Sequence, residues 1–322
     1  VNHEPAPPRP FEQLAFDRLP KLPPRPHRWH ELPRKTLRLT TPDLGTVDLC
    51  YRVAGAGPPL LLVHGLMTTG YSWRYAWEGL AAEYTVYMPD LPGSGDSSTP
   101  AHPLTPQAVA DCLGAFLDAL DLRGCAAIGN SMGGYLTMWL ALRQPGAMSR
   151  LLQLHGPAAP TPKLWALWAA IRLPVAPALL GALVRRDPHR WAHRNVHYWD
   201  ESLKSLEEAR TYGDPLATPA GFAGFFSQLR DTMDARALAD FQRQLRARAA
   251  CGAGLGLPLL LVYARRDPMV PPVIGDQLAR ILPDARLVRM DQASHFAHVD
   301  AVDRFVPLAL RFLRGDPVPS EA

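Results

Sequence analysis

Hydrophobic positions fall into three regimes along the chain. Residues 1–35 carry nine prolines and no sustained period. The exception is Phe11, Leu14, Ala15, Arg18 and Leu19, whose helical spacing predicts one short amphipathic turn. From residue 36 short apolar runs alternate with helical patterns. The run 60–64, followed by Gly65, is continuous, as a strand buried on both faces requires. Residues 36–40, 47–54, 84–88, 126–129, 151–155, 259–263 and 286–290 also read as strands, the first two as a hairpin around 43–45. Helices are predicted over 71–82, 106–121, 132–144, 271–282 and 297–314. This alternation implies an α/β protein with a mostly parallel, eight-stranded sheet flanked by helices.

The interval 156–256 is the third regime, with helical patterns broken by Pro and Gly and no convincing strand. It predicts a helical cap inserted into the α/β chain. The expected organisation is a Pro-rich arm at 1–35, a core at 36–155 and 257–315, the cap at 156–256 and a tail at 316–322. The arm is expected to pack across the body, with peripheral membrane contact as a second use. Residues 164–184 are apolar except for Arg172, but Pro174 and Pro177 interrupt them. A spanning helix wants ~20 unbroken apolar residues, so no transmembrane span is predicted.

Composition narrows the function classes. Of 322 residues 47% are hydrophobic and 20% charged, which excludes wholesale disorder. Lys+Arg 34 against Asp+Glu 30 leaves a net charge of +4, not gathered into a stripe, and argues against a nucleic-acid partner. Cys50, Cys112, Cys125 and Cys251 lie far apart, with neither a disulfide pattern nor metal-ligand spacing. His189, His193 and His197 follow i, i+4, i+8. The helical rise sets the outer pair ~12 Å apart, too far for one ion, and no metal is expected. No phosphate-cradling loop or dinucleotide fingerprint follows the early strands, so no cofactor is expected either. No secretory signal is legible in a chain that begins at Val1. The compartment stays open, with the cytoplasm favoured, and so does the oligomeric state.

The chemistry concentrates in Gly129-Asn130-Ser131-Met132-Gly133, placed where a strand ends and a helix begins. In that context G-x-S-x-G is a nucleophile elbow, a turn so sharp that the flanking residues must be small. A serine hydroxyl needs a base, and the base an orienting acid. His295 follows the last predicted strand, and Asp267 follows the strand before it. Both sit at strand C-terminal ends, where parallel sheets place reactive groups. His298 competes as base but falls in the next helix; Asp291 competes as acid but would need its loop to fold back. The order Ser131, Asp267, His295 is that of the α/β-hydrolase fold. Backbone N–H groups of Met132 and Leu66 are the candidate oxyanion donors, with His64 bracing the turn.

These residues, with His64-Gly65, Ser72-Trp73-Arg74 and the turn Asp90-Leu91-Pro92-Gly93-Ser94-Gly95-Asp96-Ser97, resemble α/β-hydrolase-fold serine hydrolases with a helical cap over ~36–314. In such proteins the last turn is structural, so Asp90 and Asp96 carry no catalytic assignment. Tyr71-Ser72-Trp73-Arg74 resembles the epoxide hydrolase branch, whose chemistry needs an aspartate where Ser131 stands. Gly129–Gly134 resembles the meta-cleavage-product hydrolases, whose glycine-rich oxyanion segment is not matched by 64–68. The resemblance implies hydrolysis of a carboxylic ester through an acyl-serine. Carbon–carbon hydrolysis of a diketone and low-turnover ligand binding are the alternatives. Trp165 and Trp168 are the expected greasy wall for a lipophilic small-molecule substrate, which the loops rather than the triad select.

Overall fold

The computed structural model describes residues 10–322, so the first nine residues of the arm lie outside it. Eight strands form one sheet: β1 (Lys35–Thr41), β2 (Gly45–Ala54), β3 (Pro59–Val63), β4 (Thr85–Pro89), β5 (Cys125–Asn130), β6 (Met148–Leu154), β7 (Leu259–Ala264) and β8 (Arg286–Met290). Their order is β1-β2-β4-β3-β5-β6-β7-β8. The β1–β2 and β2–β4 pairs are antiparallel and the other five parallel, so the sheet is mixed and mostly parallel.

Twelve α-helices accompany it among the described residues. In chain order they are α1 (Trp77–Ala81), α2 (Pro106–Ala119), α3 (Met132–Arg143), α4 (Pro162–Ile171), α5 (Ala176–Arg186), α6 (Pro188–Asn195), α7 (Leu206–Ala217), α8 (Pro219–Ser227), α9 (Ala235–Ala250), α10 (Val273–Ile281), α11 (Ala297–Asp300) and α12 (Val302–Arg314). Side chains alternate across each strand, so a strand buried on both faces feeds two cores. In β3, Leu61 and Val63 pack with α2, α3, α9 and α10, while Leu60 and Leu62 pack with α1, α11 and α12. All four are fully buried, each contributing on the order of 2 kcal/mol of apolar transfer.

Two predicted helices are broken. The stretch 71–82 is a 3-10 turn, Gly70–Trp73, followed by α1. The stretch 297–314 divides at Ala301, whose φ of −124° leaves the helical region.

Helices α4 to α9 all lie between β6 and β7. Helix α9 sends Leu238, Phe241 and Leu245 into the core beside α2 and α3, whereas Ile171, Val184, Leu216 and Phe225 of α4, α5, α7 and α8 gather in a second, outer layer. Thr161, Asp187, Ser205, Thr218 and Asp234 each cap the next helix with a side-chain oxygen, which explains the many short segments. Helix α8 touches the 90–97 turn glycine to glycine: a Cβ on Gly224 would stand 2.3 Å from the Gly93 carbonyl oxygen. Just beyond α8, Gln228 Nε2 donates to Pro92 O at 2.9 Å and to Ser94 Oγ at 2.8 Å.

The arm runs across this layer and onto the core. Leu206 N–H donates to Pro20 O, Arg25 pairs with Asp303, and Glu207 Oε1 meets His27 Nε2 and His30 Nε2 at 2.9 Å each. The amphipathic turn expected from Phe11 to Leu19 shrinks to one 3-10 turn, Phe16–Arg18. Leu19 is buried and Phe16 lies against His193 and Arg190, while Leu14 is exposed. No single described helix is long and apolar enough to cross a membrane; α4 and α5 reach that length only as a pair bent by 102°.

Candidate active site

Strand β5 delivers Ser131 to the sheet's C-terminal edge in a conformation few residues adopt, φ 55° and ψ −122°. The turn has no room for side chains around it. A Cβ on Gly129 would lie 2.6 Å from Gly133 C, and one on Gly133 would lie 2.3 Å from Val63 O. Ser131 N–H donates to Leu154 O at 2.8 Å, and Ser131 O accepts from Tyr135 N–H as α3 begins. The strained serine is over-determined by its neighbours.

Asp267 and His295 meet as the sequence predicts. His295 Nδ1 and Asp267 Oδ2 are 2.7 Å apart, with both side chains essentially excluded from solvent. The other carboxylate oxygen, Oδ1, accepts from the N–H groups of Met269 (2.7 Å) and Val270 (2.9 Å). Asp267 therefore caps its own loop and holds the imidazole at once. Burial alone would raise its pKa; the charge and hydrogen bond of His295 bring it below the ordinary carboxylate value. His295 Nε2 is buried and has no hydrogen-bond partner among the described residues. Its loop is tied to the elbow: Asn130 Nδ2 donates to His295 O at 2.9 Å.

The rivals lie elsewhere. Asp291 pairs with Arg265 at 2.8 Å on an exposed edge, and His298 is buried in α11 with its ring 4.3 Å from that of Trp73.

After β3 the chain passes directly in front of the serine, where a Cβ on Gly65 would stand 3.1 Å from Ser131 Cβ. The N–H groups of Leu66 and Met132 donate no hydrogen bond among the described residues. His64 braces this turn. Its Nε2 accepts from Leu91 N–H at 2.9 Å, which leaves Nδ1–H to donate to Gly65 O at 2.8 Å. Burial pushes its pKa down to about 4, so the ring stays neutral. Asp90 secures the neighbouring loop by accepting from Gly70 N–H (2.7 Å) and Asp96 N–H (3.0 Å).

Sequence reasoning missed His155. It ends β6 at a φ of 54°, accepts from Ala264 N–H at 2.6 Å, and sets its ring centroid 5.4 Å from that of His295. The available signal was a histidine at the end of the strand next to β5. The two tryptophans expected at the substrate wall, Trp165 and Trp168, lie side by side on α4. Trp168 donates to Asp234 Oδ2 at 3.3 Å, with the guanidinium groups of Arg172 and Arg236 at 4.6 and 4.4 Å from its ring centroid, while Trp165 is exposed beside it. Ile171, Val184, Leu216, Phe222, Phe225 and Phe226 form a buried cluster against which Leu66 and Met67 pack.

The histidines expected to share a face do not: α6 ends at Asn195, before His197, and His189 and His193 bond to Asp214 and Leu14 O. His27, His30 and Glu207 bring ligand-type atoms together. However, His27 Nδ1 accepts from Trp29 N–H, so Nε2 is the protonated nitrogen and is unsuited to ligation.

The α/β-hydrolase fold family model matches residues 58–302, and the chain belongs to that family. It is 27% identical over 265 residues to the pimeloyl-[acyl-carrier protein] methyl ester esterase of Vibrio atlanticus, covering 80% of this chain and 95% of that one. Among solved structures it resembles a thermophilic esterase from Thermogutta terrifontis (TM-score 0.66, 23% identity, 87% of this chain and 98% of the other). It also resembles the meta-cleavage product hydrolase of Pseudomonas fluorescens IP01 (TM-score 0.63, 24% identity, 84% and 95%). The relatives and the fold together make this a hydrolase.

Proposed function

We propose that the protein is a serine hydrolase that cleaves a carboxylic ester of a lipophilic small molecule through an acyl-serine intermediate, under a helical cap formed by 156–256. The observation that carries this reading is the buried Asp267–His295 pair, with its Nε2 unengaged, on a loop bonded to the residue preceding Ser131.

In this reading Ser131 Oγ adds to the ester carbonyl carbon while His295 Nε2 takes its proton. The negative charge that develops on the carbonyl oxygen meets the N–H groups of Leu66 and Met132, each worth about 3 kcal/mol in such sites. Collapse expels the alkoxide, which receives the proton from Nε2. Water then gives a proton to Nε2 and adds to the acyl carbonyl, and Oγ leaves with that proton restored. Asp267 keeps Nδ1 protonated and balances the imidazolium. No cofactor enters the sequence of steps. Ile171, Leu216 and Phe225, gathered over Leu66 and Met67, form the apolar wall that favours a lipophilic acyl or alcohol group.

The test is a fluorophosphonate probe together with a graded series of p-nitrophenyl esters, with Ser131→Ala as control. Labelling of Ser131 and ester turnover that Ser131→Ala abolishes are expected. No label at neutral pH overturns the enzyme reading in favour of ligand binding. A coloured meta-cleavage product bleached faster than any ester is turned over would move it to carbon–carbon hydrolysis.

A further inference from the structure

Ten large hydrophobic side chains are exposed among the described residues, and six of them lie on one helix pair: Trp165, Leu167, Leu173, Val175, Leu179 and Leu183 of α4, α5 and their connection. Soluble surfaces scatter such residues singly; concentrated in one place they mark a contact surface. The pair has two apolar faces. Ile171 and Val184 turn inward to the cluster that covers Leu66 and Met67, while Leu179 and Leu183, one helical turn apart, point out.

Charge on the pair has one sign. From 162 to 186 the basic residues are Lys163, Arg172, Arg185 and Arg186, with no acid. The acids beside it are engaged: Asp187 caps α6 and pairs with Arg190, and Asp234 caps α9 and holds Arg172. Lys163, Arg185 and Arg186 form no ion pair among the described residues.

We infer that α4 and α5 dock this protein on the surface of an anionic lipid bilayer, lying in the interface rather than crossing it. Short helices bent at 102° cannot span, but helices with leucines outward, a tryptophan and a basic rim suit the headgroup boundary. A second copy fits less well, because a symmetric contact would set one basic rim against another. The inference is independent of the ester chemistry at Ser131.

Flotation of the full chain with vesicles tests it, comparing phosphatidylcholine alone with phosphatidylglycerol-rich mixtures. Binding is expected only to the anionic vesicles and should fall with salt. Lys163→Gln with Arg186→Gln should weaken it about tenfold or more, each basic residue near such a surface being worth ~1 kcal/mol. Leu179→Ser with Leu183→Ser should abolish it without changing the melting temperature. No flotation, or flotation indifferent to the leucine changes, overturns the inference. So does a homodimer in sedimentation that those same changes dissociate, since a second copy would then cover the patch.

Discussion

The side-chain amide of Asn130 donates to the main-chain oxygen of His295 at 2.9 Å, across 165 residues of sequence. The residue before the proposed nucleophile thus fixes the loop that carries the proposed base. Removing that donor should let the imidazole drift, and misplacement of about 1 Å costs on the order of a hundredfold in rate. Asn130→Ala is expected to lower kcat by about ten- to a hundredfold with little change in KM, read in steady-state ester kinetics. A purely structural role would lower the amount of folded enzyme and leave kcat per active site, counted by the fluorophosphonate, unchanged.

Ser131 holds a φ of 55° as a non-glycine residue, which costs of order 1–3 kcal/mol. Ser131→Ala keeps the Cβ that creates this strain; Ser131→Gly removes it. Both variants should be inactive, yet the glycine variant should unfold at higher urea concentration, by about 1 kcal/mol over the alanine one. Equal midpoints would show that the backbone relaxes in both.

Gly133→Ala should fail differently. Its new methyl would stand 2.3 Å from Val63 O and 2.5 Å from His64 O, in contact with backbone that cannot rotate away. Overpacking of rigid backbone destabilises by about 1–3 kcal/mol or more, and here it also displaces the turn that carries Leu66. Loss of both stability and turnover is expected, seen in a urea titration and an ester assay on the same preparation.

Acid should destabilise the fold through its buried imidazoles. Burial pushes His64 down to about 4 and His155 to about 3 from an ordinary 6.5. Between these values the unfolded chain binds protons that the folded one refuses, so stability is fully present above pH 6.5 and falls as the pH drops. His298, lowered by burial and by Arg74, adds to the loss. Asp90 and Asp300, raised by burial to about 6, oppose it once the pH passes below that value. Three buried imidazoles against two buried carboxyls leave a net loss, so urea midpoints should fall as the pH drops below about 6.5. A midpoint that rises there would contradict the buried neutral imidazoles.

A buried ion pair joins the core to the insert. Arg74 is fully buried, pairs with Glu208 of α7, and lies between the rings of Tyr71 and Tyr75, at 4.5 and 4.6 Å from their centroids. Glu208 also accepts from Tyr198 OH at 2.8 Å. Glu208→Gln strands the guanidinium without a counter-charge, which typically costs about 3–5 kcal/mol. Thermal unfolding should show the loss.

Much of this was legible in the chain. All eight strands were, because each is a short run buried on at least one face, bounded by turn residues. The elbow was legible because its glycines answer a steric demand that the structure makes explicit at Gly129 and Gly133. What escaped depends on which neighbour a face meets. Periodicity shows that Trp165 and Trp168 share an apolar stripe, but not that arginines and solvent lie against it. His155 and His295 are 140 positions apart and meet only through the sheet order. The break at Ala301 carries no Gly or Pro to mark it. The 3-10 turn at Gly70–Trp73 is set by Thr69 capping and by Asp90, twenty residues away.

The glycine-to-glycine seam between Gly93 and Gly224 has a mechanical meaning. Along that margin the helical layer touches the sheet domain backbone to backbone, and at Arg74 and Glu207 it is riveted by buried charge and by the arm. A plate fastened on those sides can lift only where its fastenings are sparse. On the function proposed above, the margin formed by α4 and α5 is then the side from which a water-shy molecule is expected to reach Ser131.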